Sequence, residues 1–94
     1  MRVVGRPVLE QYRAHHADAA RPLSAWLKTA ENASWTNLIE VRKSYPHADF
    51  VKPFTVFNIK GNKYRLITKI NYKQQLISVE TCMTHAEYDK GNWK

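Results

Sequence analysis

The residues of this sequence that can do chemistry lie in its second half. Arg65 carries a planar guanidinium that can hold two phosphate oxygens at once, and His85 and Tyr88 can exchange a proton or donate a hydrogen bond. These side chains meet the needs of RNA cleavage, in which the 2′-hydroxyl attacks the neighbouring phosphate. The protein must supply placement, positive charge and proton transfer. Because RNA carries its own nucleophile, no metal ion or cofactor is expected.

The positive charge of the chain is concentrated around these residues. Fifteen Lys and Arg against eight Asp and Glu give a net charge of +7, which favours a polyanionic partner. Residues 50–79 hold six basic and no acidic residues. Long exposed ammonium groups suit backbone contacts better than proton transfer, so Lys52, Lys63, Lys69 and Lys73 are candidates for holding RNA. Lys60 is intermediate between the two roles.

Several other kinds of protein and site are disfavoured by the same sequence. The 94 residues have room for one domain, and the single cysteine, Cys82, cannot form an internal disulfide, which favours a reducing compartment. No apolar run approaches the roughly 18 residues of a membrane span, so we expect a cytoplasmic protein that does not bind a membrane. His15 and His16 are adjacent and lack metal-ligand spacing, so no metal site is expected.

Hydrophobic patterning predicts helices first and a sheet afterwards. A short strand, Arg2 to Val4, should precede a helix from Pro7 to about Ala17, a second helix that opens at Pro22, and a third capped by Ser34. Trp26 and Trp35 fit the apolar spacing of the helices and are predicted to lie in the core.

From Phe54 the period changes to two, which predicts strands at about 54–60, 63–72 and 75–83. A Gly61-Asn62 turn pairs Asn58 with Arg65, and a turn at Lys73-Gln74 lets the third strand follow without a register slip. One face is then apolar (Phe57, Ile59, Tyr64, Leu66, Ile70) and the other basic (Asn58, Lys60, Lys63, Arg65, Lys69). Thr84 and Glu87 form a capping-box pattern, so a short helical turn should present His85 and Tyr88 on one side.

Each candidate also has a structural interpretation. Arg65 can pair with Glu80, near its expected cross-strand partner Cys82. His85 can serve a capping turn, and Tyr88 can pack against the small domain. Glu87 and Asp89 would repel phosphate unless they cap the turn or orient His85, and capping is preferred.

Two motifs together carry a family resemblance. The stretch Phe57-Asn58-Ile59-Lys60-Gly61-Asn62-Lys63-Tyr64-Arg65-Leu66-Ile67, followed by Thr84-His85-Ala86-Glu87-Tyr88-Asp89-Lys90, resembles the HigB family of type II toxins, within the RelE-like group. The likeness spans most of the chain. It implies a small α+β fold over residues 1–94, with N-terminal helices on a mainly antiparallel sheet of three to four strands and a short C-terminal helical turn.

The resemblance also implies a function. Members are mRNA interferases, commonly working on mRNA in the ribosome and neutralised by a HigA-type helix-turn-helix antitoxin, with operator DNA bound through the antitoxin. It implies Arg65 as phosphate stabiliser, His85 and Tyr88 as acid–base candidates, and Asn58, Lys60 and Asn62 as hairpin residues that shape the site. Either Lys60 or His85 would take the 2′-hydroxyl proton. The alternatives are a non-catalytic RNA- or DNA-binding module and a protein whose basic face meets an acidic partner.

Overall fold

The computed structural model describes residues 1–93 and has an α+β fold, as predicted, with four helices and a five-stranded sheet in that range. The sheet has one strand more than expected, and the end of the predicted domain, Lys94, lies outside the described residues. The elements are β1 (Arg2–Val4), α1 (Arg6–His15), α2 (Ala17–Asn32), α3 (Leu38–Ser44), β2 (Asp49–Val51), β3 (Phe54–Ile59), β4 (Tyr64–Asn71), β5 (Leu76–Thr84) and α4 (His85–Lys90).

The sheet has the strand order β1-β5-β4-β3-β2, and all of its pairings are antiparallel except that of β1 with β5. The main hydrophobic core fills the face on which α1 and α2 pack. Trp26 and Trp35 lie in this core as predicted, and Trp26 makes an edge contact with Phe57 at 5.4 Å between ring centroids. Burying these large side chains is the main stabilising contribution to a domain of this size.

The second helix begins five residues before the predicted start. α2 starts at Ala17, so Pro22 lies inside the helix instead of opening it. Ala19 extends the buried stripe of Leu23, Trp26 and Ala30 by one turn, because residues four positions apart share a helix face. Burial of that turn outweighs the lost N–H of the proline.

The third helix begins later than predicted. α3 starts at Leu38, and its N-cap is Asn37 instead of Ser34. The Asn37 Oδ1 accepts a hydrogen bond of 3.0 Å from the Glu40 N–H, which satisfies one of the free donors of the first turn.

The first hairpin has the predicted register. Asn58 lies opposite Arg65, Phe57 opposite Leu66 and Ile59 opposite Tyr64. The four-residue hairpin loop, residues 60–63, has positive φ at Lys60 (53°) and Gly61 (62°), the backbone twist that such tight connections need.

The second hairpin contains an irregularity where the sequence predicts a continuous register. Ile70 pairs with Ile77 and Thr68 with Val79 as predicted, but Ile67 pairs with Thr81, so Glu80 is an extra residue in β5. Arg65 therefore lies opposite Met83, and the prediction of Cys82 is wrong. The shift moves Cys82 to the core face and Met83 to the outer side of the sheet.

The outer face, the side of the sheet away from α1 and α2, is not the exposed basic surface that was predicted. Val56, Ile67 and Met83 form a second buried apolar cluster there, with Tyr88 and Trp93 packed against it. The segment that follows β5 thus folds back over the outer face. As a result, the chemistry-bearing residues of this face lie beside an apolar floor.

Candidate active site

Arg65 is a buried, fixed side chain on the outer face. Its exposure is only 8%, because it projects from a strand that is paired on both sides and it lies beside α4. Its Nη1 donates to the backbone oxygens of Asn62 and Tyr64, both at 3.1 Å, and its Nη2 donates to Asn62 Oδ1 at 2.6 Å. The alternative pairing with Glu80 is not made, since Glu80 contacts Ser78 and Lys69. The three bonds use three of the five guanidinium donors and fix the orientation of the fork.

Tyr88 covers the guanidinium. Its ring centroid lies 5.6 Å from Arg65 Cζ, and its other neighbour is Trp93, stacked at 4.9 Å with an interplanar angle of 17°. Burial, followed by the negative charge of Asp49, raises the pKa of the Tyr88 hydroxyl. The phenol is therefore a hydrogen-bond or proton donor at neutral pH and not a base.

His85 is the first residue of α4, and its backbone is tied to the hairpin loop. The His85 N–H donates to the Lys63 carbonyl at 2.9 Å, and His85 Nε2 lies 3.0 Å from Asp89 Oδ2 one turn along the helix. The imidazole side chain is 38% exposed, so solvent and ligands can reach it. Asp89 therefore orients His85 instead of capping the turn, which is one of the two roles that the sequence suggests for this acid.

Glu87 has the other role, and the predicted capping box is confirmed. The Thr84 hydroxyl accepts a bond of 3.2 Å from the Glu87 N–H, and Glu87 Oε1 accepts one of 3.0 Å from the Thr84 N–H. The bond from the Thr84 N–H, followed by a 3.0 Å bond that the Thr84 hydroxyl donates to the same Glu87 Oε1, lowers the pKa of the Glu87 carboxyl. The cap fixes the direction in which α4 leaves β5, and so places His85 and Tyr88.

Lys60 and Lys63 do not lie on the outer face as predicted. Their ammonium groups both contact Asp18 Oδ2, Lys60 at 3.2 Å, and the same carboxylate accepts a 2.5 Å bond from the Tyr64 hydroxyl. The contacts with Lys63, Tyr64 and Lys60 lower the pKa of Asp18 well below its usual range. The lysines turn this way because Tyr64 belongs to the core face and because α2, which begins at Ala17, brings its first-turn carboxylate beside it.

Sequence reasoning missed Asp18. The predicted boundaries, about Ala17 and Pro22, leave Asp18 in a break between two helices, where an aspartate is an ordinary turn residue. The available signal was the apolar spacing of Ala19 with Leu23, which predicts that the helix starts before Pro22.

The remaining candidates are spread along the sheet. Asn58 is half-buried beside Arg65, its cross-strand partner on the outer face. The Lys69 ammonium lies 3.9 Å from Glu80 and 5.5 Å from the centre of the Phe54 ring. Lys52 and Lys73 are exposed in turns at the opposite end of β3 and β4 from the hairpin loop, roughly 23 Å away for eight residues of extended strand.

Four of the predicted residues are thus linked through the hairpin loop and α4, with Asn58 beside them: Asn62, Arg65, His85 and Tyr88, which we call the hairpin–α4 cluster. The hairpin loop supplies the bonds to Arg65 and to the His85 N–H, while Tyr88 closes over Arg65. The cluster combines a fixed cation, a neutral phenol and an accessible imidazole. This combination can stabilise an anionic phosphate and exchange protons beside it.

Within residues 1–93, no three His, Cys, Asp or Glu side chains are grouped so that they could hold a metal ion. In the same range no helix has both the length and the apolar character that a membrane crossing demands.

Comparison with known proteins agrees with the sequence resemblance. The chain is 25% identical, over 96% of its length and 90% of the relative's, to a protein of Escherichia coli O6:H1 named mRNA interferase HigB. A family model described as HigB toxin, the RelE-like toxic component of a toxin–antitoxin system, matches residues 19–91, well over half of the chain. That range contains every residue of the hairpin–α4 cluster, and the chain belongs to the HigB toxin family.

Proposed function

We propose that this protein is an endoribonuclease that cleaves mRNA and so inhibits translation and growth. Its relative named mRNA interferase supports the substrate class. The observation that carries the proposal is the hairpin–α4 cluster, in which the hairpin loop bonds both Arg65 and the His85 N–H while the Tyr88 ring lies over the Arg65 guanidinium.

The reaction needs no nucleophile from the protein. The 2′-oxygen of one nucleotide forms a bond to the neighbouring phosphorus while the bond from phosphorus to the 5′-oxygen breaks. A base takes the 2′-hydroxyl proton and an acid gives a proton to the leaving 5′-oxygen. The products are a 2′,3′-cyclic phosphate and a 5′-hydroxyl end.

Arg65 is the phosphate stabiliser in this proposal. Asn62 and Tyr64 hold three of its donors, so two N–H groups of the fixed fork remain for the phosphate oxygens that gain charge in the transition state. A donor held in place before the reaction costs no reorganisation when the charge develops, and this makes such electrostatic stabilisation effective. Burial beside Tyr88 strengthens the interaction, because water screens it less.

His85 and Tyr88 are the proton-transfer candidates. Asp89 holds one ring nitrogen of His85, which orients the imidazole and leaves the other nitrogen to exchange a proton with RNA. Tyr88 suits donation to the leaving oxygen or to the phosphate, since its pKa is raised. Lys60 is the second candidate for the base, but its ammonium would first have to leave the 3.2 Å contact with Asp18 and give up a proton to become a neutral amine.

The other polar residues would hold the RNA chain. Asn58 and Asn62 border Arg65 and shape the site. Lys69 lies farther along the same face, and Lys63 can contact RNA only when its ammonium leaves Asp18. Lys52 and Lys73 lie far enough along the sheet to contact phosphates several nucleotides away. Contacts of this kind position the RNA without selecting its sequence.

Membership of the family supports a proposal for the partners. We propose that the substrate is mRNA on the ribosome in the cytoplasm, and that a HigA-type helix-turn-helix antitoxin neutralises the protein. Operator DNA would be bound through the antitoxin. Cleavage that requires translating ribosomes, and stops when the antitoxin is added, is the expected behaviour.

The test is cleavage of a defined mRNA, with and without translating ribosomes, by wild type, Arg65→Ala and His85→Ala. Both variants should lose at least about 100-fold in cleavage rate, the usual cost of removing a transition-state donor or a proton-transfer group. His47→Ala, which removes an exposed histidine in the turn before β2, is the matched control and should cleave normally. Normal cleavage by both site variants would refute the assignment of the site.

The same assay separates the alternative of a non-catalytic RNA- or DNA-binding module. That module would bind nucleic acid with an affinity that falls steeply as salt rises, and would leave RNA intact after long incubation.

A further inference from the structure

The hairpin loop lies between Asp18 and the catalytic candidates. We propose that Asp18 is a positioning residue that fixes residues 60–63 and, through them, Arg65 and His85. This inference rests on the proposed function for its kinetic consequences. It assigns a role in the site to the first turn of α2, on the opposite side of the sheet from Tyr88.

On one side of the loop, a single carboxylate holds three side chains. Asp18 Oδ1 accepts from the Tyr64 hydroxyl at 2.5 Å, while Oδ2 contacts the ammonium groups of Lys60, at 3.2 Å, and Lys63. Two of these residues are the ends of the loop and the third begins β4. The Asp18 side chain is 30% exposed, so these bonds replace most of its hydration.

On the other side, the same loop makes the bonds that place the site. Asn62 accepts twice from Arg65, at its backbone oxygen and at Oδ1, and Lys63 O accepts from the His85 N–H at 2.9 Å. The acceptor residues, Asn62 and Lys63, are adjacent in the chain, so a shift of the loop must move the acceptors of both bonds. A carboxylate that holds both ends of the loop therefore limits the motion of both catalytic candidates.

The contacts of Asp18 also limit which lysine side chains can bind RNA. Asp18 neutralises much of the charge of Lys60 and Lys63 in the free protein. An RNA phosphate that engages these lysines must displace the carboxylate. Asp18 thus keeps the loop ordered, and in doing so it keeps the ammonium groups of Lys60 and Lys63 from contacting RNA phosphates.

Asp18→Asn tests the proposal because it keeps the shape and removes the charge. We expect kcat to fall at least about tenfold, since small misplacements of catalytic groups are costly. KM should stay constant or fall, because the released lysines gain phosphate contacts. The slope of the logarithm of RNA affinity against the logarithm of salt concentration should become steeper by up to about 1.4, which is the value for two additional lysine–phosphate contacts on single-stranded RNA. Asp18→Glu, which restores the carboxylate, should recover part of kcat.

Hydrogen exchange of the His85 amide gives a readout that does not depend on cleavage. Exchange should accelerate in Asp18→Asn, and more weakly in Tyr64→Phe, which removes one bond to Asp18 and is expected to fold. The matched control is Glu31→Gln, which removes the exposed Arg6–Glu31 ion pair at the other end of α2 and should change neither kcat nor this exchange rate.

Unchanged kcat and unchanged His85 exchange in folded Asp18→Asn would overturn the proposal, whatever its thermal stability. A wild type that cleaves no RNA would overturn the proposed function instead. In that case faster His85 exchange in Asp18→Asn, and not in Glu31→Gln, would still support the positioning role.

Discussion

Replacing Arg65 by lysine separates the geometry of the guanidinium from its charge. Lysine keeps the positive charge, but its ammonium is a single compact donor group. It cannot make the three bonds to Asn62 O, Asn62 Oδ1 and Tyr64 O and also present two parallel N–H groups to the phosphate. Two of the three bonds are expected to be lost.

The magnitude follows from those bonds. At about 1 kcal/mol of net contribution each, the loss is about 2 kcal/mol in the free energy of unfolding. For a domain of this size that lowers the midpoint of thermal denaturation by roughly 8–16 °C. Loss of one oriented donor in the transition state should lower the cleavage rate by about 100-fold, measured in single-turnover reactions well below the new midpoint.

Arg13→Lys is the matched control, since Arg13 is also an arginine that donates through Nη1, to Ser24 on the helical side of the protein. It should change the midpoint by only a few degrees and leave cleavage unaffected. If Arg65→Lys cleaves within threefold of wild type while folded, the fork does not act on the phosphate and the account of Arg65 is wrong.

Three further predictions concern the scaffold. Thr84→Ala removes the cap of α4 and should cost about 1 kcal/mol, seen as a lower denaturation midpoint; an unchanged midpoint would show that the cap contributes nothing. The pKa of Asp18 is lowered in the folded protein, chiefly by its hydrogen bond with Lys63, and the pKa of Glu87 is lowered as well. These two carboxylates therefore stabilise the fold above a pH of about 4.5, and their contribution is lost as the pH falls through their pKa values in the folded state. Denaturation midpoints should therefore be level between about pH 5 and 7 and drop below 4.5, and a flat profile to pH 2.5 would contradict this. Burial raises the pKa of the Cys82 thiol to about 12, so a thiol reagent at pH 8 should react at least about 100-fold faster after unfolding, and equal rates would show that the thiol is exposed.

The local parts of the fold could be predicted from the sequence. Alternation of side chains set the first hairpin and the pairing of Asn58 with Arg65, and the spacing of Thr84 and Glu87 set the capping box. Each of these depends on residues close together in the chain, where one periodicity or one hydrogen-bond pattern has few competitors.

The errors came from contacts between distant segments. The extra residue Glu80 is accommodated because the shift buries both Cys82 and Met83, one on each face, and the pattern of β5 alone does not reveal this. Likewise, burial of Ala19 against the core starts α2 before Pro22.

The candidate site was only partly predicted from the sequence, because it too depends on contacts between distant segments. Arg65, His85 and Tyr88 were identified from residue types and motif resemblance, and the structure brings them together with Asn62. The direction of Lys60 depends on Asp18, 42 residues earlier, and only the tertiary structure shows this contact.

The most direct test of the central claim is sequencing of RNA ends that carry a 5′-hydroxyl, from cells that express wild type or Arg65→Ala at equal levels of folded protein. The account predicts new 5′-hydroxyl ends within translated regions of mRNA for wild type, reduced to the background of uninduced cells for Arg65→Ala. The same new ends in the variant, or new ends that carry a 5′-phosphate, would contradict a site in which Arg65 stabilises attack by the 2′-hydroxyl.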